Sequence, residues 1–363
     1  MNNLDDPNLL NKLDKSSALA SIKLLANQCS QAWQQSTKVI TPLDYRQVRN
    51  IVISGMGGSS YGARIVKSLY GANEQMKIPV EMANNYFLPG FVGPETLVIL
   101  SSYSGTTEET LAAAKQAKIK GAKIMGLTCG GELADFLKSN NYPSYIINPE
   151  FNPSRQPRIG VGYMVFGLLG LLANIKIISV GNADIQNIVN LLEKNNDLFS
   201  DSVPTAGNPV KKLAVKMYNK IPVFIVADFL EGAAYALRNP FHETSKQFAL
   251  FFTIPELNHH LLEGLAFPST LPQNFIFILI RTNNYDKRNS LRLKLTGEIF
   301  QKNNFQKEEI ILRGFSPLSD TMELIQMGSW ITFYLAMLNG VDPSKIPWVD
   351  YFKKELLESS KGS

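Results

Sequence analysis

The sequence is poor in the residues that most often carry metals or cross-links: only two cysteines and three histidines stand among its 363 residues. Cys29 and Cys129 lie far apart and lack a paired spacing, so neither a disulfide framework nor a zinc site is expected. Unpaired thiols make a reducing cytoplasm the natural compartment. His242, His259 and His260 show no HExxH or similar ligand pattern, so no metal and no other cofactor is expected. No sign of charge dominates, because Lys+Arg 36 against Asp+Glu 31 gives a net +5 spread along the chain. With no basic run interleaved with aromatics, nucleic acid is not an expected partner. The mild positive balance suits either solubility or a small anionic substrate. Long apolar runs are also scarce. The nearest is Ile159 to Ile175, bounded by Arg158 and Lys176, and inside a soluble αβ pattern it reads as a buried core helix rather than a membrane span. The N-terminal MNNLDDPNLLNKLDK is acidic and lacks the order of an export signal.

What is present is ample apolar material, 45% hydrophobic residues against 18% charged, in a length that favours about two domains. A helical arm over residues 1–45 is expected, with an amphipathic pattern from Leu9 to about Gln35. Strand-like runs follow at Ile51 to Ser54, Ile78 to Met82, Leu97 to Leu100, Lys123 to Thr128 and Ser144 to Ile147. They alternate with helical stretches at Ser60 to Tyr70, Thr107 to Lys120 and Leu133 to Asn140, which specifies a doubly wound parallel sheet in a first domain, 46–200. The turn-rich DSVPTAGNP from Asp201 reads as a connection. A second domain over 208–341 repeats the pattern, with Ile221 to Ala227 and Phe275 to Ile280 matching strands of the first. Met322 to Asn339 reads as a long apolar helix, and 342–363 as a loop and C-terminal helix. The fold class is therefore α/β, two doubly wound parallel-sheet domains with flanking helices.

Two loops carry the chemistry. GMGGSSYG from Gly55 and SSYSGTTEET from Ser101 each follow an apolar strand and precede a helix, so glycines, hydroxyls and backbone N–H groups gather at one sheet edge. The second loop lacks the lysine of a nucleotide P-loop, which points to a sugar phosphate. Plain readings compete: Thr106 with Glu109 fits a capping box, and GMGGSSYG with Glu81 imitates a dinucleotide fingerprint. Ser60 stands where that fingerprint needs its third glycine. In the second half the equivalent loop is RTNNYDKRNS from Arg281, without the Ser/Thr/Gly cluster, so phosphate is expected only in the first domain. The three histidines gather with Glu243, Lys246 and Glu256 in one segment, a setting for metal-free acid–base work or for structural histidines alike. Arg158 reads equally as a site residue or a helix-start arginine, and Lys353 and Lys354 as a charged helix face.

Taken together, GMGGSS, SSYSGTTEET, QPRIGVGY, HETSK with PELNHH and the late lysine helix resemble the sugar isomerase (SIS) domain proteins, and within them the bifunctional phosphoglucose/phosphomannose isomerases. The resemblance covers nearly all the chain after the arm. It implies aldose–ketose isomerisation of glucose 6-phosphate and fructose 6-phosphate, with mannose 6-phosphate as a second aldose. It also implies that Ser59, Ser102, Ser104 and Thr107 hold the phosphate and that Glu243 moves the proton. Arg158 with the Gly57–Gly58 backbone would stabilise the enediolate, while His259 and Lys353, rather than Lys354, would assist ring opening. A homodimer with shared sites is implied, His259 reaching into the neighbouring subunit. The family commonly shows Asn where this chain has His242 and His260, and Ser344 is a candidate for influencing the choice of aldose. A non-enzymatic SIS regulator that senses sugar phosphate is the alternative.

Overall fold

Short, continuous runs of aliphatic residues form parallel strands in two sheets in a computed structural model that describes residues 3–71 and 76–360. The first sheet contains β1 (Asn50–Ser54), β2 (Val80–Ala83), β3 (Thr96–Ser101), β4 (Lys123–Thr128) and β5 (Ser144–Ile146), in the order β2-β1-β3-β4-β5. The second contains β6 (Ile221–Ala227), β7 (Leu250–Ile254), β8 (Phe275–Arg281) and β9 (Gln306–Ile311), in the order β7-β6-β8-β9. Helices cover both faces of the first sheet, so its central strands need no polar side: Ile51, Val52, Ile53 and Leu97 through Leu100 are all buried. The register pairs Ile53 with Ile99 and Ser54 with Leu100, which makes β1 and β3 end level. Their following loops therefore leave from the same edge, at the point where strand order reverses.

The second half repeats the opening of the first. After β1 comes a 3-10 turn, Gly57–Ser60, then the helix Tyr61–Tyr70; after β6 comes a 3-10 turn, Asp228–Leu230, then the helix Glu231–Glu243. Gly57 and Asp228 hold the same left-handed backbone, with φ of +49° and +47°.

The expectations from sequence missed β7 and β9. Both are edge strands. Four of the five β7 residues are only half-buried, and β9 reads QKEEII with a mostly exposed face, so neither carries the apolar signature of a central strand. The second strand also starts later than expected, at Val80.

The arm is three helices, Pro7–Leu13, Ala18–Lys23 and Leu25–Ser36, instead of one continuous pattern. The first break has a local cause: Ser17 sits at φ +60°, and the Asp14 carboxylate accepts from Ala18 N at 2.8 Å and Leu19 N at 2.9 Å, which caps the second helix. The third helix lies on the apolar segment, now the helix Val161–Asn174, whose residues Val161 to Leu172 are all buried. Close approach is allowed by Gly162, where a Cβ would fall 2.7 Å from Gln28 Cβ. Gln28 Oε1 in turn accepts from Gly162 N at 3.2 Å. Farther back, Asp5 receives the fully buried Lys211 ammonium at 2.8 Å, tying the arm to the start of the second half. No helix among the described residues is long and apolar enough to cross a membrane.

The C-terminal helix, Pro347–Ser360, contrasts with all of these. Residues 347–359 are exposed throughout, including Trp348 at 82% and Phe352 at 64%.

Candidate active site

The two loops after β1 and β3 are joined by side-chain oxygens. Ser59 Oγ accepts from Tyr103 N at 2.8 Å, and Ser101 Oγ donates to the Ser59 carbonyl at 2.6 Å. Within the second loop Ser102 Oγ accepts from Gly105 N at 3.0 Å and lies 2.9 Å from Thr107 Oγ1. Ser104 Oγ accepts from Thr106 N and Thr106 Oγ1, at 3.3 and 3.1 Å. Ser59 and Ser102 are buried, Thr107 half-buried and Ser104 exposed, so the hydroxyls run from the interior to the surface. The capping alternative is not what forms. Thr107, not Thr106, is the N-cap residue of the helix Glu108–Ile119, and no side chain caps that end. Hydroxyls and a helix start thus gather at one sheet edge, a setting that stabilises an anion.

Gly105 is the tightest point. Its φ is +74°, and a Cβ there would fall 1.7 Å from the Gly130 carbonyl oxygen. Gly105→Ala is expected to lose about 1–3 kcal/mol of stability from backbone strain alone, and more from the clash. A urea midpoint and an apparent fructose 6-phosphate affinity both equal to those of the unaltered protein would contradict this geometry.

Arg158 packs against the first of these loops. It lies between β5 and the helix Val161–Asn174, with its backbone against the first loop: a Cβ on Gly58 would stand 3.0 Å from Arg158 N. The guanidinium, 1% exposed, crosses to the second half of the chain. Nε donates to Thr244 Oγ1 at 3.1 Å, Nη1 to Gln156 Oε1 at 2.9 Å and to Glu243 Oε2 at 3.4 Å, and Nη2 to the Pro343 and Ser344 carbonyls at 2.8 Å each. Burial lowers Arg158 from its ordinary value, with the Glu243 carboxylate opposing the shift, and an arginine so placed remains charged at neutral pH. The neutral acceptors hold the cation at shorter range than Glu243 does. Glu243, whose side chain is 28% exposed, therefore keeps oxygen capacity for a substrate. Beside it the Ser344 hydroxyl is buried without a hydrogen-bond partner.

Glu243 ends the helix Glu231–Glu243 and precedes β7, which places it at the edge of the second sheet where the strands begin. His242, next to it, packs on this edge, its Nε2 lying 3.0 Å from the Ala249 carbonyl oxygen and 3.2 Å from Ala249 N, with its ring stacked on Phe248. His259 and His260 follow β7 instead, in and after the short turn Glu256–His259, and both are exposed. The five residues of β7 span about 17 Å, so the histidine cluster that the sequence brings together is split between opposite sheet edges. Lys353 and Lys354 are exposed on the C-terminal helix, and Lys354 lies 3.8 Å from Glu358. Gln156, Thr244 and the carbonyls of residues 342–344 were not foreseen as parts of the site, and Lys246 was marked only as a charge in the histidine segment.

The matching corner of the second domain is occupied by its own carboxylates. Thr282 Oγ1 donates to Asp320 Oδ2, as does Asn284 Nδ2 at 2.7 Å, and Asp286 caps the helix Lys287–Lys302 through Arg288 N at 2.7 Å. Burial raises the Asp320 carboxyl above its usual range. Thr282 and Asn284 are thus engaged by a carboxylate, and the corner lacks the Ser/Thr/Gly cluster of the first domain.

Comparison with known proteins accords with this architecture. Residues 44–134 match the SIS domain family, and residues 206–356 match the bacterial phospho-glucose isomerase C-terminal SIS domain. A bifunctional phosphoglucose/phosphomannose isomerase of Caldicellulosiruptor bescii is 31% identical over 340 residues, 93% of this chain and 98% of that protein. The chain belongs to this isomerase family. A member from Thermoplasma volcanium is also 31% identical, over 84% of this chain and 91% of its own length. Among solved structures, a hypothetical protein from Thermus thermophilus shares the fold with a TM-score of 0.75 at 17% identity, covering 98% of this chain and 93% of that one. The protein is accordingly an isomerase built on two SIS-type parallel-sheet domains.

Proposed function

We propose that the protein interconverts glucose 6-phosphate and fructose 6-phosphate, and mannose 6-phosphate and fructose 6-phosphate, through a cis-enediolate. The observation that carries this reading is the meeting of Arg158 and Glu243 beside the hydroxyl-lined loops of the first domain. Ser59, Ser102, Ser104 and Thr107 hold the phosphate, and the carboxylate-bound Thr282 and Asn284 at the corresponding corner of the second domain, where no hydroxyl–glycine loop stands, support a phosphate site in the first domain. Glu243 removes the proton from C2 of an aldose, or C1 of the ketose, and returns it to the other carbon. Arg158 and the Gly57–Gly58 backbone face the oxygen that gains charge. Glucose and mannose phosphates differ only at C2 and share one enediolate, so a base that reaches both faces serves both aldoses. A ligand-sensing regulator would need only the loops. The Arg158–Glu243 constellation and the family relationship favour the enzyme.

Ring opening falls to His259 and Lys353. Because β7 separates His259 from Glu243 of its own chain, His259 acts in a neighbouring subunit, and the active form is a homodimer with shared sites. Two free cysteines fit the cytoplasm, where such an enzyme would work in hexose phosphate metabolism, glycolysis and gluconeogenesis included.

A coupled assay starting from fructose 6-phosphate and following both aldose phosphates tests the reading; a binder without turnover would overturn it. Mixed dimers of Glu243→Gln and His259→Ala subunits should recover activity in one of their two sites. Confirmed mixed dimers with no recovery would refute the shared site.

A further inference from the structure

Two cations join the turn after Glu243 to the segment that precedes the C-terminal helix. One is Arg158, which binds Glu243, Thr244 and the carbonyls of Pro343 and Ser344. The other is Lys246, whose Nζ donates to the carbonyls of Glu243 at 2.7 Å, Asp342 at 2.8 Å and Thr244 at 3.4 Å. We propose that Lys246 is a positioning residue for the isomerase base, its ammonium locking the backbone of Glu243 to that of Asp342 so that carboxylate and guanidinium keep one relative geometry. This inference rests on the isomerase reading and names a residue which that reading does not use.

Three observations carry it. First, Lys246 has φ +56°, a left-handed conformation that glycine adopts far more easily. A lysine there is explained by its side chain and not by its backbone. Second, its ammonium is directed at main-chain oxygens, and it forms no ion pair among the described residues. Carbonyls mark the path of the chain, so a cation that gathers three of them fixes backbone from two distant segments at once. Third, the same turn is braced again by Asn339 Nδ2, which donates to the Ser245 carbonyl at 2.9 Å. A base that must reach C1 and C2 in turn depends on placement to a fraction of an ångström.

The charged groups around Lys246 are Arg158 from the loop before the apolar helix, Asp342 from the C-terminal segment and Glu243 on its own turn. Lys246 is exposed as a residue, yet partial loss of water around its ammonium, with Arg158 adding repulsion, lowers it to about 8. Below that pH the lock is charged; above it the lysine keeps N–H donors but loses the charge that strengthens them.

The test is the fructose 6-phosphate assay on the full chain as the unaltered protein, Lys246→Gly, Lys246→Arg and Glu243→Gln. Lys246→Gly relieves the left-handed backbone while removing the ammonium. It is expected to lower kcat by about 10–100-fold, with KM changed by no more than about twofold because the phosphate loops are untouched. Lys246→Arg should restore most of kcat. An alkaline limb of kcat is expected near pH 8 in the unaltered protein, and it should move upward in that variant because guanidinium stays charged. A Lys246→Gly protein with unaltered kcat, or one changed only in its unfolding midpoint, would overturn the proposal. Should Lys246→Gly fail to fold, a limb that stays in place in Lys246→Arg does the same. If the unaltered protein turns over and Glu243→Gln does not, such a result removes this inference alone. An unaltered protein without turnover removes the isomerase reading and this inference with it.

Discussion

Glu243→Gln is expected to lower turnover of fructose 6-phosphate by about 10²–10⁴-fold, the usual contribution of a positioned general base. The substitution keeps the shape and one carbonyl oxygen, so the effect isolates proton transfer. Arg158 would lose at most the charge of its longest contact, 3.4 Å, and would keep Gln156, Thr244 and the two carbonyls as acceptors. Folding should therefore change little, and calorimetric titration with fructose 6-phosphate should still show binding through the loops. Run in D₂O, the unaltered protein should place deuterium at C2 of both recovered aldose phosphates, since a single enediolate leads to each. Full activity in Glu243→Gln would remove Glu243 as the base. Deuterium in one aldose but not the other would break the common intermediate.

Arg158→Met should affect two properties at once. Its guanidinium is 1% exposed, and without it the Pro343 and Ser344 carbonyls lose a charged donor in a buried place. A stability loss of about 2–4 kcal/mol follows, below the full penalty for a broken buried ion pair because Glu243 is partly solvated. Independently, kcat should fall by about 10²–10³-fold through lost stabilisation of the developing oxyanion. Urea unfolding and kcat on the folded protein separate the two effects. Loss of stability with normal kcat would make Arg158 a structural tie between the halves, with no part in the chemistry.

Much of the architecture is legible in the residues because it is local. β1, β3 and β4 are short aliphatic runs closed by Gly, Ser and Thr, and both the run and its terminator lie within ten residues or so of each other. The interior helix Val161–Asn174 was equally plain, being uncharged and flanked by Arg158 and Lys176. Edge strands were not. Half-exposed β7 and the polar β9 are strands because β6 and β8 offer them unpaired backbone, a cause that lies in the partner strand.

The site divides along the same line. Its hydroxyl loops could be read directly, since strand, loop and helix follow one another in the chain. Arg158, by contrast, meets Glu243 across 85 residues and Pro343 across 185, distances over which no periodicity operates. The histidines show the reverse error: His242 and His259 are close in sequence, yet a strand carries them to opposite edges of the second sheet. Lys246 stood out only as a charge near Glu243; what it binds could not be read, because its partners are main-chain carbonyls, which every residue possesses. The sequence by itself thus determined the sheets' central strands, the hydroxyl loops and the family. The resemblance pointed to Glu243 and Arg158, but only tertiary packing decided that the two meet and which backbone oxygens hold them, because side-chain type is local information and proximity is not.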